Sequence, residues 1–234
     1  MFTARATEVT GAPDVVQAGF LLESRLDLVT TTEPVYLGRD RGTGQRFWIK
    51  CPDGTAESDQ RIAAEHAILG GIQHPHVLQL VDEPQASSTP FLLFAWQAEQ
   101  PLTATLLDSL PATDRVRLAA DVLDVIQFLQ TMDQPVVHGG LDLENLWATP
   151  LVRWVRLAGF NRAQAEAPAD ELEAERRGAL KLLGQLIGPE EPDTENHRAL
   201  RTAAELWAED PAGGYRALGT AIRQVLLDCI TADL

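Results

Sequence analysis

His138-Gly139-Gly140-Leu141-Asp142-Leu143-Glu144-Asn145-Leu146 is the stretch on which the reading of this chain turns. It is a glycine-containing loop between two legible neighbours. Upstream, Arg115 to Gln130 reads as a long helix. Leu118, Val122, Val125, Ile126 and Leu129 form its apolar stripe, and Thr113-Asp114 offer a cap. Downstream, Leu146 to Thr149 and Trp154 to Leu157 read as two short strands, the second running into Ala158-Gly159-Phe160-Asn161. Glycine carries no side chain, so neither Gly140 nor Gly159 can accept a proton or hold a metal ion.

Working towards the N-terminus, residues 1–20 are polar and mixed, either a tail or an edge strand. Phe20 to Lys50 has a strand-like pattern, with Val35-Tyr36-Leu37-Gly38 and Arg46-Phe47-Trp48-Ile49-Lys50 flanking a Gly- and Asp-rich turn, a hairpin. Ser58 to Gly70 reads as a helix with Ile62, Ala63, His66 and Leu69 on one side, broken by His74-Pro75-His76. Val77 to Asp82 and Phe91 to Trp96 are apolar runs expected to be strands. Beyond the loop, Glu166 to Asp170 is expected to be a mobile acidic segment. Helices are expected at about Glu171 to Leu186, Ala199 to Trp207 and Ala217 to Cys229. Strands first and helices second imply an α+β architecture with a boundary near Gln97 to Pro101.

The 234 residues can bury roughly 70–75% of their unfolded surface. Apolar residues make up 45% and charged residues 23%, the composition of an ordinary globular protein. A formal net charge of −15 repels phosphate backbones and anionic lipid, so no nucleic acid partner is expected. Its plain reading is solubility; a basic protein partner is the sharper one. No signal peptide is evident at the N-terminus, and no window approaches about 18 uninterrupted apolar residues, so no membrane insertion is expected. Cys51 and Cys229 are too few for a disulfide framework or zinc site and read as reduced thiols of a cytoplasmic protein.

The ordered series of motifs resembles the protein-kinase-like family from about residue 20 onward, and is similar to bacterial Ser/Thr protein kinases. The loop at His138 resembles the family's His-Arg-Asp-Leu-x-x-x-Asn, and Val155-Arg156-Leu157-Ala158-Gly159-Phe160-Asn161 its strand and Asp-Phe-Gly. Phe47-Trp48-Ile49-Lys50 is similar to Val-Ala-Ile-Lys, which would make Lys50 the phosphate-contacting lysine and Glu65 its helical partner. His74 to Leu80 resembles the stretch after that helix, and Phe91 to Trp96 the strand leading to the hinge. Glu209-Asp210-Pro211-Ala212-Gly213-Gly214-Tyr215 resembles Asp-Pro-x-x-Arg-Tyr, with Gly214 at the arginine. The resemblance implies a two-lobed fold: residues 1–97 as a β-rich N-lobe with one helix, residues 98–234 as a reduced, mostly helical C-lobe, together one domain.

The departures decide what the resemblance implies for function. Phosphoryl transfer needs metal, phosphate cradle and nucleophile held in place. The catalytic base falls on Gly140 and the metal-binding aspartate on Gly159. The segment in the place of the Gly-rich loop, Leu28 to Pro34, has no glycine and carries Glu33. Asn145 survives as a vestigial ligand, weak for magnesium by itself. The expectation is therefore a pseudokinase, not an enzyme, with no cofactor and no metal. It would act as a regulatory or scaffolding module that binds another protein, an active kinase or signalling protein. A metal-independent nucleotide switch using Lys50, Glu65 and Asn145 is the alternative, and an unorthodox phosphotransferase using Asp142 ranks last.

Each retained residue also has a purely structural reading. Lys50 with Glu65 reads as an ion pair fixing helix to sheet, His138 as a support of the loop backbone, Asn145 as a local cap, and Asp142 as a solvated loop charge. Trp48, Trp147 and Trp154 read as packing residues. Trp96 is placed where it could fill an adenine pocket. Trp207 and Tyr215 are candidates for an exposed interface and, just as readily, for core residues of the C-lobe.

Overall fold

The computed structural model describes residues 19–26, 28, 31–81, 91–149, 154–187, 202, 207 and 217–224. Strands β1 (Phe20–Leu26), β2 (Val35–Asp40), β3 (Arg46–Lys50) and β4 (Leu92–Ala95) form an antiparallel sheet in the order β1-β2-β3-β4. The expected hairpin joins β2 to β3, Val35 facing Lys50 and Arg39 facing Arg46. Its turn closes locally: the Asp40 carboxylate accepts from the Thr43 amide at 2.6 Å and the Thr43 hydroxyl at 2.7 Å, relieving two donors that a tight turn leaves free.

Helix α1 (Ala56–Leu69) starts where the Thr55 hydroxyl accepts from the Ser58 amide. Its buried stripe is Ser58, Ile62, Glu65 and Leu69, whereas Ala63 and His66 face water. The expected apolar side was thus rotated by about one residue. An acidic side chain, Glu65, occupies the inward position, because Lys50 waits for it there.

Val77 to Asp82 is not a strand. Val77 makes a single bridge to Leu157 and Leu80 a single bridge to Phe94; Asp82 lies outside the described residues. The segment binds in two directions. The Leu78 amide donates to Leu157 (2.9 Å) and the Leu157 amide to His76 (2.8 Å). The Val81 amide donates to Leu93 (2.8 Å) and the Ala95 amide to Gln79 (3.2 Å). A backbone that serves β4 on one side and a second sheet on the other cannot lie flat in either.

That second sheet has the order β5-β7-β8, from β5 (Gln100–Pro101), β7 (Leu146–Ala148) and β8 (Val155–Leu157). A short helix α2 (Ala104–Asp108) leads into α3 (Ala112–Thr131). Thr113 and Asp114 do not cap α3: Pro111 holds the N-cap position without a side-chain bond, and Asp114 pairs with Arg117 at 2.9 Å inside the first turn. The stripe Leu118, Val122, Val125, Ile126 and Leu129 is fully buried. It joins one core with Val35, Trp48, Trp147, Phe160 and, from the C-terminal part, Trp207, Leu218 and Ile222. Of the two alternatives for Trp207 the structure takes the core one, completely buried and not an exposed interface residue; Tyr215 and the 209–215 motif lie outside the described residues.

Strands β6 (Val136–Val137) and β9 (Gln164–Ala165) pair antiparallel on either side of the loop. Only residues 166–168 separate β9 from α4 (Ala169–Ile187). The acidic segment is therefore not a free tether. Glu166 accepts from the Gln134 side chain at 2.9 Å, and Asp170 already lies in the first turn of α4. Of the two later expected helices, only residues 202 and 207 of the first and 217–224 of the last are described, all helical. Cys51 is buried, its thiol pushed up to about 12 by loss of water; Cys229 lies outside the described residues. No described helix is long and apolar enough to cross a membrane.

Candidate functional site

Strand β3 and helix α1 bring Lys50 and Glu65 together. Lys50 Nζ lies 2.6 Å from Glu65 Oε2, both side chains almost wholly buried. Burial pushes the Glu65 carboxyl up against the opposing pull of Lys50. A second carboxylate reaches the same lysine: Glu33 Oε2 is 3.8 Å from Nζ. Glu33 is itself buried, held by Arg61 Nε of α1 at 2.6 Å, by the Thr31 hydroxyl at 2.7 Å and by the Thr32 hydroxyl at 3.2 Å. Burial raises its pKa, but the Thr31 hydroxyl, Arg61 and the Lys50 charge together outweigh burial and hold it at about 2. The segment in the place of a phosphate loop thus turns a carboxylate inward onto the lysine.

Below Lys50 the space is filled by aromatic rings. Trp48 stands where the resembling motif has alanine, and its ring meets Trp147 edge-on, centroids 5.3 Å apart. The hollow bounded by Val35, Trp48, Lys50, Glu65, Trp147 and Gly159 has about 30 Å³ free. Pockets for small organic ligands run to roughly 300–1,000 Å³. Trp96, the expected occupant of an adenine site, instead lies under the Arg46 guanidinium at 5.2 Å. Trp154 is not a packing residue; it is exposed, with Arg156 over its ring at 5.8 Å.

The loop itself is held from three sides. The His138 amide donates to Glu175 Oε1 of α4 at 2.8 Å and the Gly139 amide to Oε2 at 3.3 Å. His138 Nε2 donates to the Ala158 carbonyl at 2.9 Å, and its ring packs edge-on against Phe160. Burial holds this histidine down at about 4, so it is neutral, and its Nδ1 has no partner among the described residues. Asp142 caps the turn Leu143–Asn145 by accepting from the Asn145 amide at 3.1 Å. Asn145 Nδ2 donates to the Gly140 carbonyl, so the surviving amide is spent on the loop's own backbone.

The two glycines differ. A Cβ on Gly140 would find its nearest neighbour at 3.4 Å, ordinary contact, so the position has room for a side chain. Gly159 has φ +78°, and a Cβ there would overlap the Asn145 amide oxygen. Outside Gly140 a second hollow opens, about 430 Å³, lined by Asp142, Leu143, Glu144, Asn145, Arg162 and Gln185 among others. No group of three metal-ligating side chains gathers anywhere among the described residues.

Lys50, Glu65, Asn145 and Gly159 therefore meet around one hollow, and Gly140 faces the other. Sequence reasoning missed two members, Arg61 and Glu175, and read Trp48 and Trp147 as packing residues without their contact with each other. Arg61 lies one turn of helix before Glu65 and could have been found by that spacing. Glu175 sits in a charged helix and carries no sequence signal.

The chain is similar to a protein kinase. Over 177 residues it is 27% identical to Serine/threonine-protein kinase ULK3 of Homo sapiens, a match covering 72% of this chain and 37% of the relative. The chain thus spans little more than a third of that relative's length. No protein-family model matches it. The similarity corrects one expectation. The chain was read as a non-enzyme from Gly140 and Gly159, but the relative found is a kinase by name, which points towards a kinase and not away from catalysis.

Proposed function

We propose that this chain is a two-lobed, protein-kinase-like regulatory module that docks onto another protein of a signalling system. In its resting state the nucleotide cleft is filled by its own side chains. The supporting observation is the contrast in free volume. The hollow at Lys50 holds about 30 Å³, room for little more than a water molecule, whereas the hollow at the loop holds about 430 Å³. The lobes divide near residues 97/98, Lys50 and Glu65 belonging to the first and Asn145 to the second. Asp142 and Glu144 outnumber Arg162 around the open hollow, and the net charge of −15 favours a basic partner segment.

Thermal unfolding with ATP, with and without magnesium, tests the cleft. A ligand at about 100 times its Kd adds ~2.7 kcal/mol of apparent stability. The expected outcome is an unchanged midpoint at millimolar nucleotide; a clear rise overturns the filled cleft. Titration with an arginine-rich peptide tests the docking surface. Binding should weaken at least tenfold in Glu144→Lys, and equal binding removes the loop hollow as the site.

A further inference from the structure

The turn His74-Pro75-His76 sets two histidines against two aspartates of α3. His74 Nε2 lies 3.3 Å from Asp124 Oδ2, and His76 Nε2 lies 3.5 Å from Asp121 Oδ1. The second nitrogen of each ring decides which protonation state its surroundings accept. His74 Nδ1 accepts from the His76 amide at 3.2 Å. That nitrogen carries no proton, so Nε2 does, and a neutral ring donates to Asp124. Burial also pushes the pKa of His74 down, against the pull of Asp124. His76 is the opposite case. Its Nδ1 lies 2.9 Å from the Val155 carbonyl of β8. A carbonyl only accepts, so Nδ1 holds a proton. A neutral His76 would then turn the lone pair of Nε2 towards the Asp121 carboxylate, and two facing acceptors repel. The imidazolium, with a proton on each nitrogen, satisfies both partners at once.

The charges on the neighbouring elements leave this pair to itself. On α3, Arg117 is paired with Asp114 at 2.9 Å, and Arg117 and Asp124 act on Asp121 with opposite signs. On β8, Arg156 Nε donates to the Pro75 carbonyl at 3.2 Å, while the rest of its guanidinium is held by buried Glu99 and by Gln97. Within the turn, neutral His74 adds no charge. His76 and Asp121 are both partly buried, so salt and water screen them less than a surface pair. The ring also stands at a junction. The Leu157 amide donates to the His76 carbonyl at 2.8 Å, and the Leu78 amide to the Leu157 carbonyl at 2.9 Å.

We propose that His76 is a pH-controlled latch: its imidazolium pins residues 74–81 to Asp121 of α3, and loss of the Nε2 proton turns that contact from attraction to repulsion and loosens the segment. The sign is fixed by the charge. A cation's contribution is present at low pH and is lost as pH rises. The latch depends neither on the filled cleft nor on the docking surface.

Ring-nitrogen NMR of the full chain tests it, with the two histidines read separately. At pH 7, where an ordinary histidine is mostly neutral, His76 is expected to carry a proton on both nitrogens. By about pH 9 it should keep only the Nδ1 proton, the tautomer the Val155 carbonyl selects, while His74 shows a single proton on Nε2 at both pH values. Asp121→Asn removes the opposing charge, and His76 should then be mostly neutral at pH 7. Amide exchange reads the latch itself. The protection of Leu78 and Leu157, taken relative to amides of β1 and β2, should fall about fivefold or more between pH 7 and 9 in the wild type, the scale of one ion pair. It should stay level in Asp121→Asn. A wild-type His76 that is neutral at pH 7, or that keeps its last proton on Nε2, overturns the proposal. So does a protection ratio that is level in the wild type or falls equally in the variant. The wild-type ring signals decide the matter even if Asp121→Asn folds poorly.

Discussion

Gly140 and Gly159 stand at comparable positions of two motifs, yet the structure treats them differently. Gly140 has room, so Gly140→Asp should fold with a change within about 0.5 kcal/mol. Gly159 has a positive φ and the Asn145 amide against its α-carbon, so Gly159→Asp should cost ~1–3 kcal/mol. Urea unfolding of the two variants measures the difference, and equal losses would refute it. His138 gives a pH dependence with a definite sign. Its folded pKa of about 4 lies below the ordinary 6.5, so the unfolded chain binds more protons between those values. The stability it contributes is complete above pH 6.5 and is lost as pH falls towards 4, amounting to ~3 kcal/mol. Glu65 and Glu175, whose carboxyls are raised, act with the opposite sign and cancel when wild type is compared with His138→Asn. The gap between the two in urea midpoint should change between pH 7 and 4.5; a constant gap sinks the argument. Both glycines and the histidine were legible in the sequence because they sit in a spaced motif. What their neighbours allow was not, because room around a Cβ is a property of packing.

Helix α1 and strand β3 carry the site between them, and their chemistry is only partly visible in their periodicity. The pattern of α1 was misread by one residue, since a helix that buries a glutamate does not show its inward face as an apolar stripe. Trp48 and Trp147 are the packing residues the sequence suggested, but a tryptophan in a strand signals burial without saying which volume it fills. Trp48→Ala restores the alanine of the resembling motif. It should cost ~3–5 kcal/mol and leave a hollow beside Trp147. Adenosine should then raise the unfolding midpoint of this variant and leave the wild type unmoved; no rise in either would show that other side chains collapse into the space. Lys50→Ala acts on the same two elements. It leaves Glu33 and Glu65 buried without the cation between them, a loss of ~3–5 kcal/mol. Lys50→Ala with Glu65→Ala should recover part of that loss, and a double variant weaker by the full sum of the single losses would argue against a shared charge group.

At the scale of the molecule the antiparallel sheet and the α3 stripe followed from composition and spacing, because both bury large apolar faces that leave periodic marks. The run from Val77 did not, because its apolar residues answer to two sheets at once. That run has a consequence for how the molecule opens. The amides of Leu78, Val81, Ala95 and Leu157 are tied through one short segment, although Ala95 and Leu157 belong to separate sheets. Amide exchange at these four sites should therefore share one opening event and one dependence on denaturant, a single cooperative unit lying across the boundary and not within either side. Any motion that parts the walls of the Lys50 hollow without global unfolding must then pivot about residues 76–81 and leave those protons protected.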